Sequence, residues 1–194
     1  MSKTGRIRQS EKSKGFGIIQ TLWQRNINAL SRYLPMYPSV RAALQKNRGV
    51  KIGKNVFIGA DVMIDEVFPE NIIIEDDVTI IARSSILSHA FYPTHFGKTI
   101  HDIKSTTKIK KGSYVGLGST ILPGVTIGCY SIIGAGSLVT KDVPDYTIVY
   151  GNPAKVQGHI CKCLRRIPQN RQSYVCPNCK RKYKTKGGIM QEIK

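Results

Sequence analysis

The chain has 194 residues, 41% of them apolar, enough for a packed core and too many for a wholly disordered chain. Lys and Arg number 30 against 12 Asp and Glu, a net charge of +18, and no apolar run approaches the ~18 residues of a transmembrane helix. The basic start is followed by no long apolar core and no small-residue cleavage site, so a soluble, cytoplasmic protein is expected. The charge sits in the flanks: residues 1–51 carry 11 basic and 1 acidic residue, residues 156–194 carry 10 and 1, and the middle is close to neutral. Basic flanks attract anionic surfaces such as membranes, nucleotides or nucleic acid without choosing among them.

The first predicted element is a helix over residues 16–34. Phe16, Ile19, Leu22, Trp23, Ile27, Leu30 and Leu34 fall at helical spacing, with Arg25 and Arg32 among them. Such a helix is expected to pack on the open end of the repeat that begins at residue 52; a basic amphipathic helix on a membrane surface is the alternative. Residues 1–51 are read as a basic arm with this helix.

From residue 52 the chain repeats with period six. Ile52, Ile58 and Ile64 form one block, and Ile74, Ile80 and Ile86 a second. Ile109, Val115, Ile121, Ile127, Ile133 and Val139 form the third. The position four further on is small, β-branched or aromatic: Val56, Val62, Phe68, Val78, Ser84, Ala90, Ser113, Ser119, Val125, Ser131, Ser137 and Val143. A helix of 3.6 residues per turn cannot hold a strict six, and a plain strand needs no Gly at fixed intervals. The twelve hexads predict four coils of a triangular solenoid over residues 52–158. One aliphatic side chain per hexad points into the shaft, and small residues turn the corners. Two insertions, Glu70 to Ile73 and Tyr92 to Lys108, leave at the same corner. A long loop in a compact repeat is usually functional or disordered, and the second insertion holds His95 and His101.

The last segment, residues 159–194, carries Cys161, Cys163, Cys176 and Cys179. Two short thiolate pairs separated by a hairpin read as a four-cysteine structural zinc ribbon, with His159 an alternative ligand. Leu164 stands where a ribbon turn usually has Gly. A metal that folds a segment too small for its own core is expected.

The hexads resemble those of the hexapeptide-repeat acetyltransferases, whose fold is a left-handed parallel β-helix. The match is best over Ile121-Leu-Pro-Gly-Val-Thr-Ile-Gly, over Ile133-Gly-Ala-Gly-Ser-Leu-Val-Thr-Lys-Asp-Val-Pro, and over Gly151-Asn-Pro-Ala-Lys155. The maltose, galactoside and xenobiotic O-acetyltransferases are the type it is most similar to. The resemblance implies an all-β fold of about four coils, with the N-terminal helical segment and the zinc ribbon as attachments. It also implies a homotrimer with sites between neighbouring solenoids, and acetyl-CoA as co-substrate.

The resemblance carries over to particular residues. Ile86-Leu-Ser-His89 fits the family's catalytic histidine. An imidazole can take the proton of a poorly nucleophilic sugar hydroxyl as it attacks the thioester. Thr140 and Lys141 match the pair near the adenosine end of the coenzyme, Leu117 and Ala135 the pantetheine groove, and Tyr114 an aromatic wall that is often Trp. Gly116, Gly118 and Gly136 would let the pantetheine arm approach the backbone. Asn152, Pro153 and Lys155 match the segment that packs by the nucleotide. Asp65, Glu75 and Ile81 stand at turn positions that are usually Gly. Asp65 and His95 are candidate acceptor contacts, with an outward polar residue the alternative for Asp65 and a plain solvated loop residue the alternative for His95. His89, His95 and His101 are spaced by six, but two of them lie in a loop where that period has no geometric meaning, so no histidine zinc site is expected.

The leading expectation is an acetyl-CoA-dependent O-acetyltransferase acting on a sugar of a glycan or its precursor. Similar Cys-rich tails in some nucleotide-sugar amine acetyltransferases make N-acetylation of a nucleotide-linked amino sugar the runner-up. A non-catalytic scaffold would need neither His89 nor the Thr140–Lys141 pair. Nucleic acid is not an expected partner, because it leaves the coenzyme segment unexplained. Peripheral contact with an anionic membrane or a lipid-linked substrate is the further partner class the basic flanks allow.

Overall fold

A computed structural model describes residues 18–90, 103–168, 172–186 and 189–193. Two helices lead the chain: α1 (Ile18–Tyr33) and α2 (Pro38–Asn47). Three-strand coils come next. The first coil is β1 (Lys51–Ile52), β2 (Phe57–Ile58) and β3 (Met63–Ile64), and the second is β4 (Ile72–Ile74), β5 (Thr79–Ile80) and β6 (Ser85–Ile86). A two-stranded antiparallel ribbon, β7 (His89–Ala90) with β8 (Ile103–Lys104), stands at the base of the long insertion. The third coil is β9 (Thr107–Ile109), β10 (Tyr114–Val115) and β11 (Thr120–Ile121), and the fourth is β12 (Thr126–Ile127), β13 (Ile132–Ile133) and β14 (Leu138–Val139). The chain then makes part of a fifth coil through Val143, which bridges Ile127, and β15 (Thr147–Gly151), which pairs with β13.

Corresponding strands pair in parallel and in register, forming three faces. The first face runs β1-β4-β9-β12, the second includes β2-β5-β10-β13-β15, and the third β3-β6-β11-β14. Ile52 stacks on Ile74, Ile109 and Ile127, Ile58 on Ile80, Val115 and Ile133, and Ile64 on Ile86, Ile121 and Val139. These are the hexad positions, and most have no exposed surface. Each buried Ile contributes about 1.5–3 kcal/mol of burial free energy. The partial fifth coil exceeds the four expected. Val143 follows Val139 after four residues instead of six, so the count by sixes stops there.

The shaft also takes a second residue per hexad. Val62, Val78, Ser84, Ser113, Ser119, Ser131 and Ser137 are buried with the aliphatics. The serines fill the corners because their hydroxyls find carbonyls there. Ser84 Oγ donates to the carbonyls of Ile81 and Gly116, at 2.8 and 2.9 Å, and Ser119 Oγ to that of Gly134 at 2.8 Å. A hydroxyl with a partner can be buried at little net cost. Both insertions leave between the third face and the first, the corner expected from the hexad count.

The N-terminal helices depart from expectation. The helix lies within the predicted span, but its packed face is Ile27, Asn28 and Ser31, whereas Leu22, Trp23, Leu30 and Leu34 are exposed. Phe16 lies outside the described residues. The first coil is covered by α2, whose Ala42 packs on the shaft, and α1 lies against α2. No helix among the described residues is long and apolar enough to cross a membrane.

At the other end, β16 (Ala154–Ile160) pairs antiparallel with β15 and then with β17 (Arg166–Ile167). It runs unbroken across position 158, the division expected from the sequence. The tail closes with an antiparallel sheet of β18 (Ser173–Val175), β19 (Lys182–Lys186) and β20 (Ile189–Ile193). Its small core of Ile167, Cys161, Cys176, Tyr183 and Met190 is continuous with Tyr146 of the solenoid. Tyr146 stacks on Tyr130 at 5.7 Å and meets Tyr183 edge-on at 5.5 Å.

Leu164 has φ 65° and is 75% exposed, so it holds a left-handed turn with little burial to offset the strain. Replacing Leu164 by Gly should raise stability by about 0.5–1 kcal/mol, after the extra entropy of Gly in the unfolded chain. Urea unfolding of the full chain checks this.

Candidate active site

Two corners of the triangle carry the chemically interesting side chains. The corner between the third face and the first holds His89. Its turn begins after Ile86, and the β7–β8 ribbon places Lys104 opposite it. Below it lies Asp65, whose side chain is fully buried. Asp65 Oδ2 accepts from the backbone N–H of Ser88 at 2.7 Å and of His89 at 3.1 Å, and lies 2.6 Å from His89 Nδ1. Asp65 Oδ1 accepts from the N–H groups of Val67 and Phe68, both at 3.0 Å. Burial pushes the carboxyl upward, but the donors from Phe68, Ser88, His89 and Val67 outweigh it and hold Asp65 below the usual carboxylate range. An ionised carboxylate only accepts, so Nδ1 of His89 carries the proton and the basic lone pair belongs to Nε2. The Phe68 ring meets the imidazole edge-on at 5.4 Å, with Lys104 Nζ 4.3 Å from the Phe68 centroid. The imidazole is therefore fixed at Nδ1 and along one edge while its side chain keeps 17% exposure.

This corrects the reading of Asp65. It neither faces an acceptor nor points outward, because both oxygens are used up beneath His89. Its partnership with His89 was missed in the sequence. The signal was there: Asp65 follows Ile64, which stacks under Ile86, so it sits one coil below the turn that carries His89. Glu75 is likewise not a bare turn residue. It pairs with Lys108 at 2.8 Å and accepts from the Lys111 N–H. His95 and His101 lie outside the described residues.

Thr140 and Lys141 lie at the same corner as His89, two coils further along, and both are exposed. The other coenzyme candidates gather between the second and third faces. Leu117 and Ala135 are exposed on successive coils, joined by the Gly136 N–H donating to the Leu117 carbonyl at 2.8 Å. Tyr114 stands beside them on the second face, 39% exposed. The hairpin from β15 to β16 bends over this corner, where the Gly151 N–H donates to Ser137 Oγ at 3.3 Å. It presents Asn152, Pro153 and Lys155 to solvent. Gly116 is needed for packing, since a Cβ there would lie 2.6 Å from the Ala135 nitrogen, whereas the same atom on Gly118 or Gly136 would meet nothing within 4 Å. Within one chain the third face separates the two groups of candidates.

A separate cluster forms in the tail. The sulfurs of Cys161, Cys163, Cys176 and Cys179 lie within 4.8 Å of one another. Cys161 is 3.3 Å from Cys179 and 3.5 Å from Cys163, and Cys163 is 3.5 Å from Cys176. Four thiolates around a tetrahedral zinc, with bonds of ~2.3 Å, stand about 3.8 Å apart, so the donor set fits that ion. The Arg165 N–H favours the thiolate of Cys163 and the Arg181 N–H that of Cys179, lowering both pKa values, while burial pushes Cys161 up to about 12. His159 is not part of the cluster.

A family model described as the hexapeptide repeat of succinyl-transferase matches residues 49–82 and 107–141. The chain is 40% identical, over 52% of its length and 48% of the relative's, to dTDP-3-amino-3,6-dideoxy-alpha-D-galactopyranose 3-N-acetyltransferase of Aneurinibacillus thermoaerophilus; it thus spans about half of that protein. It is 33% identical to YvoF of Bacillus subtilis (strain 168), a protein whose name places it with acetyltransferases, over 66% of this chain and 70% of that one. Among solved structures, a maltose O-acetyltransferase from Clostridium difficile 630 has the same fold, with a TM-score of 0.58, 23% identity, and coverage of 74% of this chain and 87% of that one. The stacked hexads, the matching repeat model and the YvoF relationship agree: the chain belongs to the hexapeptide-repeat acetyltransferase family.

Proposed function

We propose that the protein transfers the acetyl group of acetyl-CoA to a hydroxyl of a sugar in a glycan or glycan precursor. The observation that carries this reading is the 2.6 Å contact of His89 Nδ1 with the buried Asp65 carboxylate. It holds the tautomer whose Nε2 can take a proton, and it stabilises the imidazolium that forms. The acceptor oxygen attacks the thioester carbonyl as Nε2 takes its proton. A coil N–H suits the developing oxyanion. As the carbon–sulfur bond breaks, the proton passes to the departing thiolate and free CoA leaves. His89→Ala should lower kcat by about 10²–10⁴-fold, the usual worth of general acid–base catalysis, measured as thiol release with a panel of acceptor sugars.

N-acetylation of a nucleotide-linked amino sugar is the second reading, favoured by the 40% identity to a nucleotide-sugar N-acetyltransferase. An amine is already nucleophilic and needs the base chiefly after attack. Near-normal turnover of an amine acceptor by His89→Ala would select this reading. Asp65→Asn tests the support of His89 under either. The Asp65 pKa is depressed on folding, so its contribution to stability is full above the ordinary carboxylate range and lost as pH falls through and below it. The variant should lack that part of the acid-side decline in stability.

Tyr114, Leu117, Ala135, Asn152, Pro153 and Lys155 would line the coenzyme from one corner, and Thr140 and Lys141 from the other. The separation of the two groups supports a homotrimer in which neighbouring solenoids complete each site. Lys141→Ala should weaken CoA binding, more at low salt, because a screened phosphate contact is lost. Calorimetric titration with CoA and dephospho-CoA reads this, and equal losses for the two would remove the ribose phosphate as its target.

The four cysteines would hold one structural zinc, which ties β16, β18 and β19 together and leaves no open position for chemistry. One zinc per chain should be found by elemental analysis. It should be released as pH falls, because protons compete for the thiolates. A cytoplasmic location fits the use of acetyl-CoA. The basic flanks and the exposed Leu22, Trp23, Leu30 and Leu34 suit an anionic or lipid-linked acceptor.

A further inference from the structure

We propose that Arg48 is a positioning residue for the Asp65–His89 pair, through which the N-terminal helices fix the geometry of the catalytic corner. The inference rests on the reading of His89 as the base.

Arg48 follows α2 and closes it, with its N–H donating to the carbonyls of Leu44 and Gln45. Its side chain then turns inward, leaving the residue 3% exposed. Arg48 Nη1 donates to Asn28 Oδ1 at 2.9 Å, to Gln45 Oε1 at 2.6 Å and to the Ile64 carbonyl at 3.4 Å. Nη2 donates to the Asp65 carbonyl at 3.0 Å. The carbonyls of Ile64 and Asp65 belong to the two peptide groups flanking the Asp65 Cα. Holding both fixes the backbone from which the carboxylate reaches His89.

The arrangement uses both terminal nitrogens of the guanidinium, while Nε is buried without a hydrogen-bond partner among the described residues. A planar fork can serve two carbonyls and two amide side chains at once, whereas an ammonium cannot match that geometry. Burial of the cation lowers its pKa, and the nearby Glu66 and Asp65, the acidic groups that face it, offset that cost only in part. The same polar cluster docks α1. Gln45 Nε2 donates to Ser31 Oγ at 2.6 Å and Asn28 Nδ2 to Glu66 Oε1 at 2.8 Å, while Arg32 pairs with Asp61 at 2.8 Å. The partners of α1 in the first coil thus fall between positions 61 and 66, the stretch that ends in Asp65 and Glu66. Within this polar junction, Arg48 is the side chain that reaches the peptide groups on both sides of Asp65.

The test uses the full chain with Arg48→Lys, which keeps the charge and loses the fork, and Arg48→Met, which loses both. The first readout needs no activity. In protein labelled with ¹⁵N-histidine, one of four histidines, identified by its loss in His89→Ala, reports the Nδ1 proton held by Asp65. Neither variant alters Asp65, which lies below His89, or Lys104, which stands opposite it in the ribbon. Arg48→Lys should move the Nδ1–H signal upfield, because the carboxylate is no longer held beneath the ring. The second readout is kinetic: kcat should fall by about 10–100-fold, the effect of a small misplacement of a catalytic group, with KM and CoA affinity within about 2-fold. Arg48→Met should lose at least as much; if it fails to fold, Arg48→Lys decides. Unchanged His89 signals with kcat within about 2-fold in Arg48→Lys would overturn the proposal and leave Arg48 a structural residue. Full turnover in His89→Ala would instead overturn the reading of His89, and the magnetic-resonance readout would still decide whether Arg48 holds the pair.

Discussion

The parallel register between coils is the constraint on which the rest of the molecule depends. Each shaft aliphatic lies on its counterpart in the coil below, from Ile52 through Ile74 and Ile109 to Ile127. Side chains alternate between shaft and solvent, so a one-residue slip would turn a whole coil inside out. Extra chain can therefore enter only at a corner and must return in register. That rule puts both insertions at one corner and leaves the coils above them undisturbed. It also makes neighbours of residues far apart in sequence. Asp65 and His89 are 24 positions apart and share a proton because the coils stack.

Much of this was legible from the spacing of aliphatics. Period six gave the coils, the inward positions, the corners and the exits of the insertions, because those depend on the identity of single residues at fixed intervals. The cluster of four cysteines was legible for the same reason. What escaped depended on partners rather than periods. The polar face of α1 packs because Asn28 and Ser31 meet Gln45 and Arg48, and no helical wheel of α1 alone reveals such partners. α2 carries a polar buried set, Arg41 and Gln45, which hides it from a search for apolar stripes. Asp65 looked like a turn residue out of place because its five donors come from two different turns. The fifth coil broke the count by losing two residues at its first corner.

The site illustrates how a rigid repeat hosts chemistry. The shaft residues are interchangeable in kind, and the groups proposed for chemistry stand at turns and corners: the turn to His89, the corner at Lys141 and the hairpin at Asn152. The solenoid supplies fixed spacing between them, and its attachments give the corners their character. The N-terminal helices reach the peptide groups around Asp65, and the C-terminal tail extends the sheet whose hairpin carries Asn152. Each attachment touches the apolar shaft through a small residue, Ala42 of α2 and Ala154 of β16. Each meets the solenoid through specific hydrogen bonds or aromatic contacts.

The antiparallel turn of β16 against β15 has a consequence for solubility. A stack of parallel coils ends in rows of unpaired backbone donors and acceptors, which is the template on which another copy could add and grow into a fibre. By folding back, β16 covers the exposed edge of the second face with a strand of opposite direction, and β17 beyond it leaves an edge only two residues long. So short an edge is a poor template for a further coil. With α2 over the first coil, the second face is covered at both ends, so the tail that would hold a metal also hinders another copy from adding along that face.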